Sequence, residues 1–312
     1  MRAATISDGS IAVREHPDPR PQAGELLVRV RAAGLNGADM LQLRGAYPAP
    51  AGAPQDIPGL ELAGEVVECG DGVQRFEPGD RVMAVVAGGA QAELAVVHER
   101  LAIPVPEELD WDAAGGVPEC FTVGHDALFT QAGLGTGERL LVHGGAGGVG
   151  MAAVQLGQMA GARVTATVRH EGCREQIAAL EVNAIAPEDF VEAGPFDVIL
   201  ELVGAPNWPG NLDALAPKGR ISVIGVGAGP KVEINLHALM SKRGAIFAST
   251  LRARSLEDKA AAARLVEKMV LPGFVSGDLS VFVAETFALD DVAAAYERFQ
   301  AGAKLGKIVL TT

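Results

Sequence analysis

The sequence predicts an α/β protein of two domains: a mostly β domain closing into a partial barrel, and a doubly wound parallel sheet of six strands. Three observations carry this reading. From Arg139 onward, short apolar runs alternate with helical segments; the first 120 residues are instead cut into short strands by Gly and Pro turns; and the turn "HGGAGGVG" follows a strand and opens a helix. The 312 residues, 48% of them hydrophobic, suffice for two cores that need neither disulfide nor metal.

The six strands of the second half are expected at Arg139 to His143, Arg163 to Val168, Val182 to Ala186 (the weakest), Phe196 to Val203, Arg220 to Val226 and Ala245 to Leu251. They are rich in Val, Ile and Leu without strict alternation, as parallel strands buried on both faces should be. Between the first two, Val149, Ala153, Leu156 and Ala160 share one helical face. In the first half, "ELLVRVRAAG", "ELAGEVVECG" and "DRVMAVVAGG" read as strands of the β domain, with little helical periodicity between them. After Leu251, "SLEDKAAAARLVEKMVL" and "LDDVAAAYERFQA" read as amphipathic helices. The first is opened by Ser255, with Glu257 and Asp258 in its first turn. The last segment, "GKIVLTT", is a strand expected to return to the N-terminal domain.

Composition excludes several classes of function. The three cysteines, Cys69, Cys120 and Cys173, are far apart and form no CxxC pair, which points to a reducing, cytoplasmic setting. The N-terminus has no apolar core behind a basic start, and no apolar run approaches the ~18 residues of a membrane span. A formal charge of −13, from 39 acids against 26 bases, repels nucleic acid and anionic lipid.

Within the glycine-rich turn, Gly145, Gly147 and Gly150 satisfy G-x-G-x-x-G. The first allows the tight turn, the second lets a pyrophosphate approach the backbone, and the third lets helix and strand pack closely. Gly145, Ala146, Gly147, Gly148, Val149 and Gly150 are therefore the expected dinucleotide cradle, at the positive end of the helix. Where an NAD-preferring protein carries an acid, at the end of the second strand, this chain has "TVRH", with Arg169 in place to pair with a 2'-phosphate. NADPH is the expected cofactor; the ordinary alternative is that Arg169 is a solvated loop charge.

Taken in order, "AAGLNGADMLQLRGAYP", "PGLELAGEVVECG", "GDRVMAVVAGG", "HGGAGGVG", "STLRAR" and "GKIVLTT" closely resemble the zinc-independent quinone oxidoreductase branch of the medium-chain dehydrogenase/reductase superfamily, over essentially the whole chain. The resemblance implies a GroES-like catalytic domain over residues 1–121 and 253–312, interrupted by a Rossmann domain over 122–252, with the active site in the cleft between them. Zinc-bearing members of the superfamily place metal ligands at positions that correspond here to Asn36, Leu60 and Pro118, so no metal is expected; Cys120 lies two residues from the last.

By the same resemblance, Asn36 and Tyr47 lie near nicotinamide and substrate, Asn36 as a positioning donor and Tyr47 as a donor or stacking wall. The plain reading of Tyr47 is a turn tyrosine beside Pro48. Asp39 and Glu61 are expected to organise the site by hydrogen bonding, and Thr122 to border the cofactor. His125 and His143 are read as packed neighbours. Strand ends supply further cofactor contacts at Val203, Gly204, Gly225 to Gly227, Leu251 and Arg252, with the Val226 backbone holding the carboxamide. Lys304 or Lys307 reaches a phosphate by family analogy, against the plain reading of surface charge.

The function this implies is NADPH-dependent hydride transfer to quinones or related conjugated carbonyls, without zinc. An enoyl reductase of the same superfamily, or a non-catalytic NADPH-binding sensor, remains open at this point. The apolar sixth strand "AIFASTL" is an edge that needs covering, so a homodimer is expected through it.

Overall fold

The structure is a computed structural model and describes residues 1–312. The chain divides into two compact units: Met1–Thr122, Leu251–Gly302 and Gly306–Thr312 form one, Val123–Thr250 and Ala303–Leu305 the other.

The first unit is built on antiparallel strands. β1 (Arg2–Ser7) and β2 (Ser10–Glu15) form a hairpin whose turn, Asp8–Gly9, has positive φ at both residues, as such tight turns require. β3 (Glu25–Gly34), β4 (Glu61–Cys69), β5 (Arg81–Val85), β6 (Leu94–His98) and β7 (Ile103–Pro104) are joined by β14 (Val283–Ala288) and β15 (Lys307–Thr311) in a seven-stranded sheet of order β14-β15-β3-β4-β5-β7, with β6 also on β3. The long β3 pairs with β4 along one edge, and with β6 and then β15 along the other. One strand with three partners bends the sheet toward a barrel. Leu26, Val28 and Val30 alternate inward along β3 and meet Leu62, Val66, Val82 and Val97 in the core. The expected return of the C-terminal strand is found: Val309–Thr311 pair antiparallel with Ala32–Gly34.

This unit holds more helix than its sequence led us to expect. Gly37–Leu43 is helical, with Asn36 at its N-cap and the Asp39 carboxylate accepting from the Asn36 backbone N–H at 2.8 Å. The missed signal is an acid three residues after an Asn cap, half of a capping box. The helix Leu256–Met269 begins as foreseen, with Ser255 accepting from the Asp258 backbone.

The second unit is a parallel sheet. β8 (Arg139–His143), β9 (Arg163–Thr167), β10 (Asn183–Ile185), β11 (Phe196–Glu201), β12 (Leu215–Val223) and β13 (Ala245–Ala248) lie in the order β10-β9-β8-β11-β12-β13, all parallel. That is the doubly wound Rossmann order, whose direction reverses beside β8. β8 and β11 are buried along almost their whole length, which explains their unbroken apolar runs. β12 begins at Leu215, ahead of the expected Arg220, and stops at Val223, so that Gly225 and Val226 lie in the loop beyond it. Leu141, Ile199 and Ile221 pack under Trp208 and Leu212 of the helix Trp208–Ala214.

Candidate active site

The two units carry different parts of the expected chemistry. In the Rossmann unit, the parallel strands bring Gly145, Arg169, Val203, Gly225 and Val226 to the same carboxyl edge, although they come from four separate strand ends. The turn after β8 is pinned by the Gly145 N–H donating to Thr167 O at 3.0 Å. A Cβ at Gly145 would press on Ala166, and one at Gly150 would run into the Gly144 carbonyl, so both positions must be bare for the turn to pack. Gly147 is different: a Cβ there would meet only Gly144 O, at 3.5 Å. The helix Gly148–Met159 starts immediately after it, so its first-turn amides have no intrahelical acceptor. An open glycine before a bare helix N-terminus fits a pyrophosphate.

Arg169 is exposed just past β9. Arg174, which sequence reasoning did not single out, donates to the Val168 and Arg169 carbonyls at 3.0 and 3.1 Å and fixes the shape of that loop. Glu201, also missed, is fully buried at the end of β11. It accepts from the Val203 and Gly204 backbone at 2.7 and 2.8 Å, and from Asn211 at 2.7 Å. Asn211 in turn meets His143 at 2.8 Å, and burial lowers the His143 pKa. His143 is thus a packed, hydrogen-bonded member of a network that shapes the loop carrying Val203. Ala228 N–H donates to Val203 O at 2.9 Å and ties the loop holding Gly225 and Val226 to the same edge.

The barrel unit contains a buried polar cluster. Glu61 opens β4, Lys307 opens β15, and Asn36 stands between them two residues past the end of β3, at the cap of the helix Gly37–Leu43. The Lys307 ammonium donates to Glu61 Oε1 at 2.5 Å, to Asn36 Oδ1 at 2.8 Å and to Leu35 O at 2.8 Å. Burial would discharge it, but the side chains of Cys120, Glu61 and Asp39 outweigh that and hold its pKa above the usual lysine range. This corrects the expectation that Lys307 contacts a cofactor phosphate: with its residue 3% exposed and three acceptors around it, the ammonium is committed inside the barrel.

The expectation that Asn36 donates to substrate is corrected in the same way. Its amide gives its hydrogens to Glu61 Oε1 at 2.9 Å and Gly34 O at 3.2 Å, and its oxygen accepts from Lys307. Asp39 is fully buried and accepts from Asn36 N, Gly59 N and Gln91. Desolvation pushes its pKa up to about 6, against those hydrogen bonds.

Tyr47 sits at the rim of this unit. Arg252, buried, donates to Tyr47 O at 3.1 Å, to Ala87 O at 2.8 Å and to Gln42 at 2.6 Å, and its guanidinium lies 5.2 Å from the centre of the tyrosine ring. Arg252 therefore holds the Tyr47 segment in place. Partial burial raises the phenol's pKa, Arg252 lowers it and Glu119 raises it; the balance keeps the hydroxyl protonated near neutrality. Thr122 and Leu251 are buried in the same unit, where they line a small pocket with Val85, Leu101, Ile103, Lys259 and Ala263; the Thr122 hydroxyl has no protein partner there.

Comparison with known proteins agrees with both units. Residues 22–107 match the model of the alcohol dehydrogenase GroES-like domain, and residues 148–268 match that of the zinc-binding dehydrogenase. The quinone oxidoreductase of Rattus norvegicus is 31% identical over 307 residues, covering 94% of this chain and 90% of that protein. The acryloyl-coenzyme A reductase of Metallosphaera sedula is 30% identical and covered to 96% on both sides. A phenolphthiocerol/phthiocerol polyketide synthase of Mycobacterium tuberculosis is 31% identical over 97% of this chain, which spans only 14% of that much longer protein. An alcohol dehydrogenase superfamily protein from Novosphingobium aromaticivorans, 26% identical, superposes with a TM-score of 0.88 over 100% of this chain and 99% of its own. The fold, GroES-like domain plus Rossmann domain, is that of a family of nicotinamide-dinucleotide-dependent oxidoreductases. The chain belongs to the medium-chain dehydrogenase/reductase superfamily, as a member of the quinone oxidoreductase type.

The zinc that one of those family descriptions implies does not fit these residues. Leu60 and Pro118 offer no donor atom, the Asn36 amide is engaged, and the Lys307 ammonium already neutralises Glu61.

Proposed function

We propose that the chain is an NADPH-dependent reductase that passes a hydride to quinones or related conjugated carbonyls without zinc. The observation that carries this reading is the open Gly147 turn at a bare helix N-terminus, with exposed Arg169 on the neighbouring loop. Gly145 to Gly150 and Val203 hold the dinucleotide, Arg169 pairs with its 2'-phosphate, and the Val226 backbone orients the carboxamide. When bound, the reduced nicotinamide supplies the hydride.

Tyr47 donates a hydrogen bond to the acceptor oxygen, where charge builds during transfer. Asn36 acts behind it, holding Glu61 and Lys307 in register. Thr122 and Leu251 border the cofactor in this proposal, and the chain works in the cytoplasm as a homodimer. An enoyl reductase is the second reading, favoured by the likeness to the acryloyl-coenzyme A reductase.

The test is oxidation of NADPH followed at 340 nm, with NADH in parallel, against a panel of quinones, enones and enoyl thioesters in the presence of a chelator. Turnover of quinones or enones with NADPH preference, and loss of that preference in Arg169→Glu, is the expected result. Turnover confined to enoyl thioesters would select the second reading. Dinucleotide binding with no turnover on any acceptor would make the chain a sensor.

A further inference from the structure

Every charged side chain of the barrel cluster except one has protein hydrogen-bond partners. Asp39 accepts three hydrogen bonds, Glu61 accepts from Asn36, Lys307 and the Glu119 backbone, and Lys307 and Arg252 each donate to three protein acceptors. The exception is the carboxyl of Glu119. Its backbone N–H is anchored to Glu61 Oε2 at 2.8 Å, at the start of the helix Pro118–His125, so the residue's position is set by the cluster. No protein group hydrogen-bonds its side chain, which keeps part of its surface open. The same carboxyl is within electrostatic reach of both Tyr47 and Arg252.

Resting on the reductase reading above, we propose that Glu119 is the general acid of the reaction, delivering the proton that the acceptor needs once the hydride has arrived. A bound reduced nicotinamide would supply two electrons and one hydrogen, which leaves the acceptor one proton short. The Glu119 O–H bond breaks, a new O–H or C–H bond forms on the product, and the carboxylate left behind is reprotonated by water. Tyr47 polarises the acceptor oxygen without losing its own proton.

The surroundings keep Glu119 protonated for this task. Desolvation is the largest cause, the Glu61 carboxylate on β4 adds to it, and Asp39 adds less; Lys307 on β15 and Arg252 oppose them, and the carboxyl is pushed up to about 8. Glu61 and Asp39 remain unsuitable as donors, since their oxygens are occupied in holding Asn36, Lys307 and the backbone.

The experiment compares wild type, Glu119→Gln and Glu119→Asp in two ways. In turnover, wild-type rate falls as pH rises through about 8, Glu119→Gln is slowed at least tenfold at pH 6.5 and loses that limb, and Glu119→Asp recovers part of both. In the protein without cofactor, thermal stability is followed from pH 5 to 9. A carboxyl whose folded pKa is raised binds its proton more tightly in the native state, so wild-type stability declines with rising pH up to about 8, and Glu119→Gln removes that slope. A Glu119→Gln variant with wild-type rate and pH profile overturns the proposal, as does an unchanged stability slope. If wild type turns over no acceptor while the slope behaves as expected, it is the reductase reading that fails, and the acid role falls with it.

Discussion

Lys307 and Glu61 illustrate what a single buried pair does in this protein. Each is almost without solvent contact, and their attraction offsets the cost of removing two charges from water only because Asn36 and Leu35 satisfy the remaining sites. Removing one partner strands the other. Lys307→Met is expected to destabilise the barrel unit by about 3–5 kcal/mol, read as a fall in the urea midpoint, whereas the double variant Lys307→Met with Glu61→Leu recovers much of the loss. A stable single variant would show that the pair contributes little. Asn36, Glu61 and Tyr47 could be singled out from the sequence through the family resemblance of the segments that carry them. Glu119 could not be, because the role proposed for it rests on its side chain's lack of a hydrogen-bond partner, and a sequence displays residues without their contacts.

Among the elements, the turn after β8 separates the roles of its glycines. Gly147 faces open space, and its φ of −76° suits any residue, so Gly147→Val should leave the fold intact while weakening dinucleotide binding at least tenfold. Gly150→Ala should do the opposite at first, lowering the melting temperature because the new methyl meets the Gly144 carbonyl. A fluorescence titration with NADPH and a thermal melt on each variant distinguish the two; equal effects on both variants would refute the division. The motif itself was readable, since glycine spacing and a following helix are local features. The roles of Arg174 and Glu201 were not, as their partners lie on loops that only strand pairing brings together. The helix Gly37–Leu43 was hidden for another reason: seven residues are too few to show periodicity against strands on either side.

For the whole molecule, the outer strand of the Rossmann sheet is the feature with consequences. β13 pairs only with β12, and Leu236 and Met240 of the preceding helix Leu236–Lys242 are 66% and 71% exposed, with Phe247 of β13 also open. An apolar edge of this kind is a natural seat for a second copy of the chain. Sedimentation velocity should find the wild type at twice its 32.2 kDa mass, and Leu236→Lys with Met240→Lys should shift it to the monomer. A monomeric wild type would refute the homodimer. No helix is long and apolar enough to cross a membrane.

The sequence by itself determined the class of fold, the places of the Rossmann strands along the chain and the glycine-rich turn. Each depends on interactions among residues close along the chain: the period of burial, the capping of a helix, the bareness of a turn. What only the tertiary structure decided is the role of the barrel's charged residues. Lys307 meets Asn36 and Glu61 across 271 and 246 residues, and those contacts turned an expected phosphate ligand into the internal cation of the cluster. Burial and partnership decide whether a charge is committed or available, and both are set by strand pairing between the two ends of the chain.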